Sequence, residues 1–243
     1  MADKLVKVLK YLKEAFTDQE VIHSKDHKKI IEALKYLKQV FDKHGILFWL
    51  EGGTLIGAVR EGKIIPWDDD ADITIWIEDA CKLVDARKDF EGTEFEMYVI
   101  PVHMPSYGLG HYEIRDRETK KHLICILFNY VAKGHMVRAR FLPPISNAIR
   151  YFHIIKCDKL LKLSWKILLK FHLYKDHVVR YPIKCFGTPT TITFYGEEFM
   201  IPGNYDECLT HMYGDWRTPE RNNRGRNRKY LKDVNYESTI EVE

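Results

Sequence analysis

Long apolar runs are missing from this chain. No stretch approaches the ~18 uncharged apolar residues that a membrane-spanning helix needs. The continuous apolar centre of a secretory signal is also lacking. Met1 to Phe16 is Lys-rich and amphipathic instead, so a cytoplasmic protein is expected. Cysteine is sparse and scattered: Cys81, Cys125, Cys157, Cys185 and Cys208 contain no Cys-x-x-Cys pair. Their odd number argues against both a disulfide framework and a thiolate zinc site. An excess of one charge sign is nearly absent. The 38 Lys and Arg against 35 Asp and Glu leave +3, too little for a nucleic-acid-binding body. No internal repeat is visible.

What is present suits a globular protein with a real core, since 45% of the 243 residues are hydrophobic and 30% charged. Leu5, Val8, Leu9, Leu12 and Phe16 recur at helical spacing, which marks 1–21 as an N-terminal amphipathic helix. A second helix is expected from about Asp26 to Lys43, stopped by Gly45. Glu78 to Phe90 reads as a helix. Glu94 to Ile100, Gly110 to Arg115 and His122 to Val131 read as strands, with a turn at Asp116 to Lys121. From Ser146 to about His177, leucines interleave with lysines in a helical lobe. That lobe either packs on the sheet or makes a peripheral membrane contact through 146–177 as a cationic interfacial helix. A hairpin around Gly196 and a short helix from Tyr205 to Met212 follow. The sum is an α+β fold, a mixed or largely antiparallel sheet with flanking helices and a helical lobe. Residues 220–243 are basic and poor in apolar residues, and a mobile tail is expected there.

Ile46 to Trp76 carries the chemistry. Ile46 to Leu50 is a short apolar run that suits a buried strand. Gly52 and Gly53 stop it, and Thr54 is placed to cap a helix whose free N–H groups would face an anion. A second strand then opens on Asp68, Asp69, Asp70 and Asp72. Strand alternation would set Asp68, Asp70 and Asp72 on one face, about 6.6 Å apart, with Asp69 turned away. Carboxylates so stacked raise one another's pKa unless a cation compensates. Oxygen-only ligands select Mg²⁺ or Mn²⁺ over zinc. A phosphate-cradling turn beside such a strand is the apparatus of phosphoryl or nucleotidyl transfer. Gly52, Gly53 and Thr54 are candidates to hold phosphate oxygens. Arg60 either clamps them as a fork or is a surface arginine at a helix end. Trp67 either stacks on a base or fills the core.

The segment WLEGGTLIGAVREGKIIPWDDDAD, Trp49 to Asp72, resembles the signature of the LicD/fukutin-related family. Tyr213-Gly214-Asp215-Trp216, followed by Arg217-Thr218-Pro219, resembles that family's C-terminal YGDW element. The resemblance implies a polymerase-β-like nucleotidyltransferase core over 22–219. It also implies transfer of a phospho-alcohol, phosphocholine or ribitol phosphate, from a CDP-linked alcohol donor to a glycan acceptor. On the family pattern Asp70 and Asp72 are the leading metal ligands, and Asp68 is a further ligand or the proton-accepting base. Asp215 would shape the acceptor side or cap its own turn.

The family pattern further implies a third carboxylate near His122 to Tyr130. This chain reads HLICILFNY there, with Cys125 or Ile126 where the acid is expected. Glu113 and Asp116 are the substitutes nearest in sequence. Two other functions therefore stay open. One is transfer of a nucleotide itself to a protein, RNA or small molecule. The other is a pseudoenzyme that binds nucleotide or glycan without turnover.

Overall fold

The structure, a computed structural model, describes residues 27–100 and 112–219. The expected 1–21 helix, the start of the Gly110 strand and the 220–243 tail lie outside them.

Helix α1 (27–44) buries Ile30, Leu34, Leu37 and Phe41 at helical spacing and ends at Gly45, whose φ is +61°. Strand β1 (Phe48–Leu50) pairs antiparallel with β2 (Ala71–Trp76), and α2 (Gly52–Glu61) lies between them in sequence. Next to β2, and parallel to it, runs the long β5 (His122–Ala132). The far edge is completed by β4 (Tyr112–Asp116) and β3 (Phe95–Val99), giving the order β1-β2-β5-β4-β3. The second half of β5 pairs with β6 (His135–Phe141), which pairs with β7 (Tyr174–Pro182). Apart from the parallel β2–β5 pair every ladder is antiparallel, so the expected mixed α+β sheet is found.

Three boundaries differ from expectation. Glu78 to Phe90 is a chain of short turns: 3₁₀ Ile77–Lys82, α3 (Leu83–Ala86) and 3₁₀ Arg87–Phe90. The helical lobe is shorter than 146–177, consisting of α4 (Pro143–Ile154) and α5 (Asp158–Lys170). The chain beyond it is strand β7, because Tyr174, Val178, Val179 and Tyr181 are strand formers and β6 offers an edge to pair. The lobe's inner face does pack on the sheet. Trp165 is fully buried, its ring 5.5 Å from Phe128 and 5.3 Å from Phe141.

The two sheet faces differ in kind. Ile73, Ile75, Ile124, Ile126 and Phe128 fill one with apolar core. Alternation turns Asp72, Thr74, Cys125, Asn129 and Arg138 to the other. Helices α6 (Ile183–Phe186) and α7 (Tyr205–Tyr213) belong to that polar side through Cys185, Phe186 and Cys208, which pack with Trp49.

Candidate active site

Strand β2 begins only at Ala71, and Asp68 to Asp70 occupy the irregular stretch between the Pro66–Trp67 turn and that strand. The alternation expected from Asp68 onward therefore fails, and Asp69 is not turned away. One oxygen from each of Asp68, Asp69 and Asp70 lies within 4.8 Å of the others. The loop is pinned at Asp68, whose carbonyl accepts from His27 Nε2 at 2.8 Å and whose N–H donates to the Ile65 carbonyl at 2.9 Å.

The glycine turn closes on these carboxylates. Gly52 has φ +58°, and a Cβ there would lie 3.0 Å from Asp72 Oδ2 and 3.5 Å from the Tyr213 hydroxyl. A Cβ on Gly53 would lie 2.5 Å from Asp68 Oδ2. Only glycine leaves room for both acids. Helix α2 starts at Gly52, with Glu51 at its N-cap and no side-chain cap bond, so Thr54 does not cap it. The Thr54 hydroxyl instead accepts the Asp72 N–H at 2.8 Å and ties α2 to β2.

Burial, reinforced by Asp70, Asp72 and Asp69, pushes the Asp68 carboxyl up to about 7. Burial and Asp70 push Asp72 up to about 7 as well, against the opposing pull of Arg138 and Arg180. The cluster is short of positive charge. Its donors are all oxygen, and opposite ligands of an octahedral Mg²⁺ or Mn²⁺ stand about 4.2 Å apart. Asp68, Asp69 and Asp70 fit a hard divalent ion by donor type, closing inward from their observed spread, and Asp72 stands outside this group of three.

The place of the third acid is now defined. Asp72, Cys125 and Glu113 stand in one row across β2, β5 and β4. The middle member is a buried thiol that burial holds protonated, well above its usual range. Glu113, also buried, lies 2.8 Å from His122 Nδ1, while His122 Nε2 is 3.1 Å from Asp70 Oδ2. Glu113 thus stands one imidazole away from the cluster, near a His122 Nδ1 that makes no hydrogen bond. Asp116 does not reach it. The Thr119 N–H and Lys29 hold its carboxyl down to about 2, and it closes the hairpin turn.

Sequence reading missed the charges behind the turn. Glu51 is 2% exposed and accepts from Arg180 at 2.6 and 3.2 Å on one oxygen. Its other oxygen accepts from Trp49 Nε1 and Thr74 Oγ1, each at 3.2 Å. Burial pushes the Glu51 carboxyl up, but the charges of Arg180 and Arg138 outweigh it and hold it below its ordinary value. Arg138 stands 3.7 Å from Glu51 and donates to Asn129 at 2.7 Å. Glu51 adjoins the glycines in sequence, which was the available signal. The two arginines arrive from β6 and β7, and only strand pairing reveals them.

The remaining candidates lie apart from the acids. Arg60 donates Nη1 to the Trp216 carbonyl at 2.9 Å and Nε and Nη2 to Glu61, so its fork braces α2 against the Tyr213–Trp216 segment. Trp67 is 36% exposed beside Asp68 and does not fill the core. Asp215 is exposed and accepts from Thr218 Oγ1 at 2.7 Å, capping its own turn.

An acidic cluster closed against a glycine turn at the end of a mixed sheet is the site of a nucleotidyltransferase-like fold. Residues 45–157 match the family model described as LicD/FKTN/FKRP, nucleotidyltransferase domain. Two relatives named Ribitol 5-phosphate transferase FKRP, from Homo sapiens and Mus musculus, are each 60% identical over 35 residues. That match covers 14% of this chain and 7% of either relative. Uncharacterized protein RP689 of Rickettsia prowazekii (strain Madrid E) is 51% identical over 49 residues, 20% of this chain and 18% of its own. Among the described residues no helix is long and apolar enough to cross a membrane.

Proposed function

We propose that this chain moves a phospho-alcohol, of the ribitol phosphate or phosphocholine kind, from a CDP-linked donor to a glycan hydroxyl. The observation that carries the reading is the closure of the Gly52–Gly53 turn on Asp68 and Asp72. Likeness to proteins named as ribitol 5-phosphate transferases supports the choice of transferred group. Asp70 and Asp72, with Asp69 beside them, would hold Mg²⁺ or Mn²⁺, which leaves Asp68 as the base. The ion, when bound, neutralises charge on the diphosphate and on the departing CMP.

The chain's own residues do the rest. First-turn N–H groups of α2, at Gly52, Gly53 and Thr54, have no carbonyl one turn back and donate to phosphate oxygens. Trp67 offers an exposed ring face to the donor's base. The acceptor oxygen attacks the phosphorus bearing the alcohol, the bond to CMP breaks, and Asp68 takes the hydroxyl proton. CMP release from CDP-ribitol or CDP-choline, abolished by Asp70→Asn, tests this reading. Attachment of a whole nucleotide to the acceptor would replace it with nucleotidyl transfer. A non-catalytic binder is the second reading, favoured by Cys125 standing between Asp72 and Glu113. Metal-dependent donor binding with no CMP release from any acceptor would establish that alternative.

A further inference from the structure

Large exposed apolar side chains concentrate on the outer face of the helical lobe. On α5, Leu160, Leu163, Ile167 and Phe171 form one stripe at helical spacing, with Leu163 49% and Phe171 61% exposed. The adjoining face of the same helix, Leu161, Trp165 and Leu168, is fully buried in the core. Among the described residues nothing covers the stripe.

Lys159, Lys166 and Lys170 flank it, all exposed and none in an ion pair with a described carboxylate. The acids around the rim are already engaged. Asp85 holds Lys88 and Lys162, Asp158 holds Arg87 and Lys88, and Glu91 holds Lys156. The face presents apolar side chains and uncompensated positive charge together.

We propose that this face docks on an anionic lipid bilayer, with the Leu160–Phe171 stripe seated at the acyl boundary and the lysines on lipid phosphates. Long lysine stems beside aliphatic side chains let the charge reach headgroups while the stripe stays dry. Charge complementarity selects this occupant. A second copy meeting the same face would set lysine against lysine.

The inference is independent of the transfer chemistry, and its test needs no turnover. The full chain is floated with phosphatidylcholine vesicles, and with vesicles of about a quarter phosphatidylserine. Binding to the anionic vesicles at least about tenfold tighter than to neutral ones, and weakening with salt, is expected. Leu163→Ser with Ile167→Ser, and separately Lys166→Glu with Lys170→Glu, should each abolish it while thermal unfolding stays unchanged. The proposal is overturned if wild type ignores both vesicles. It is equally overturned if both double variants still bind, or if the wild-type chain dimerises in solution and the Leu163 and Ile167 changes make it monomeric.

Discussion

Glu51 and Arg180 form a buried ion pair, Arg180 Nη2 donating to Glu51 Oε1 at 2.6 Å, directly behind the glycine turn that closes on the aspartates. Glu51 is both the N-cap residue of α2 and the anchor of two arginines from β6 and β7. The pair joins the start of the turn to the far half of the sheet.

Glu51→Gln keeps the shape and removes the charge, leaving Arg138 and Arg180 without their shared carboxylate. A loss of about 3–5 kcal/mol in urea unfolding is expected, since breaking a buried pair strands its partner. Adding Arg180→Met should recover part of that loss. Additive effects of the two changes would mean that they do not interact.

Gly53→Ala places a methyl where the Asp68 carboxylate now lies, and the flexible acid, not the backbone, has to move. Stability should change by less than about 1 kcal/mol. Mn²⁺ affinity, read by titration calorimetry, should fall about tenfold or more, a cost of roughly 1.4 kcal/mol. Gly52→Ala adds left-handed strain at φ +58° and should cost about 1–2 kcal/mol in stability as well.

Arg60 braces α2 against the Trp216 carbonyl, and Glu61 takes up the rest of its fork. Arg60→Ala should lower stability by about 1–3 kcal/mol while leaving donor affinity nearly unchanged. A large rise in donor KM at constant Tm would return Arg60 to the phosphate-binding role expected from sequence.

His153 is buried on α4, and its Nε2 donates to the Met97 carbonyl at 3.1 Å. Burial and the charge of Arg87 push it down to about 4. Between about 4 and 6.5 the unfolded chain binds a proton at this histidine that the folded chain refuses, so the His153 contribution to stability is lost as pH drops through that window. The full effect is on the order of 3 kcal/mol. Asp68 and Asp72, raised to about 7, act in the opposite sense over the same window, so His153→Gln should make Tm rise more steeply as pH drops from 6.5 to 4 than it does in the wild type.

The core was readable because its pattern is regular. Ile73 and Ile75 alternate, α1 keeps helical spacing, and the α5 face that holds Leu161, Trp165 and Leu168 does the same. The aspartates were readable as a group, but their geometry was not. A turn at Pro66–Trp67 delays the strand to Ala71, and alternation says nothing about residues before a strand begins. Strand β7 follows a leucine-rich helix and mixes Lys175 and Asp176 with its valines, so its period is masked. Arg138 and Arg180 were hidden with it, because they meet Glu51 only through pairing between segments far apart in sequence. Glu113 was readable as a nearby acid, whereas its link to Asp70 through His122 needed the β4–β5 register.

The most direct test of the central claim is binding of CDP-ribitol, CDP-choline, CDP-glycerol, ATP and UTP, with and without Mn²⁺, to the wild type and Asp72→Asn. The expected result is metal-dependent binding of one CDP-alcohol, lost in Asp72→Asn while the variant stays folded. Binding of ATP or UTP in preference, donor binding that ignores both Mn²⁺ and Asp72, or no binding across the panel would contradict the claim.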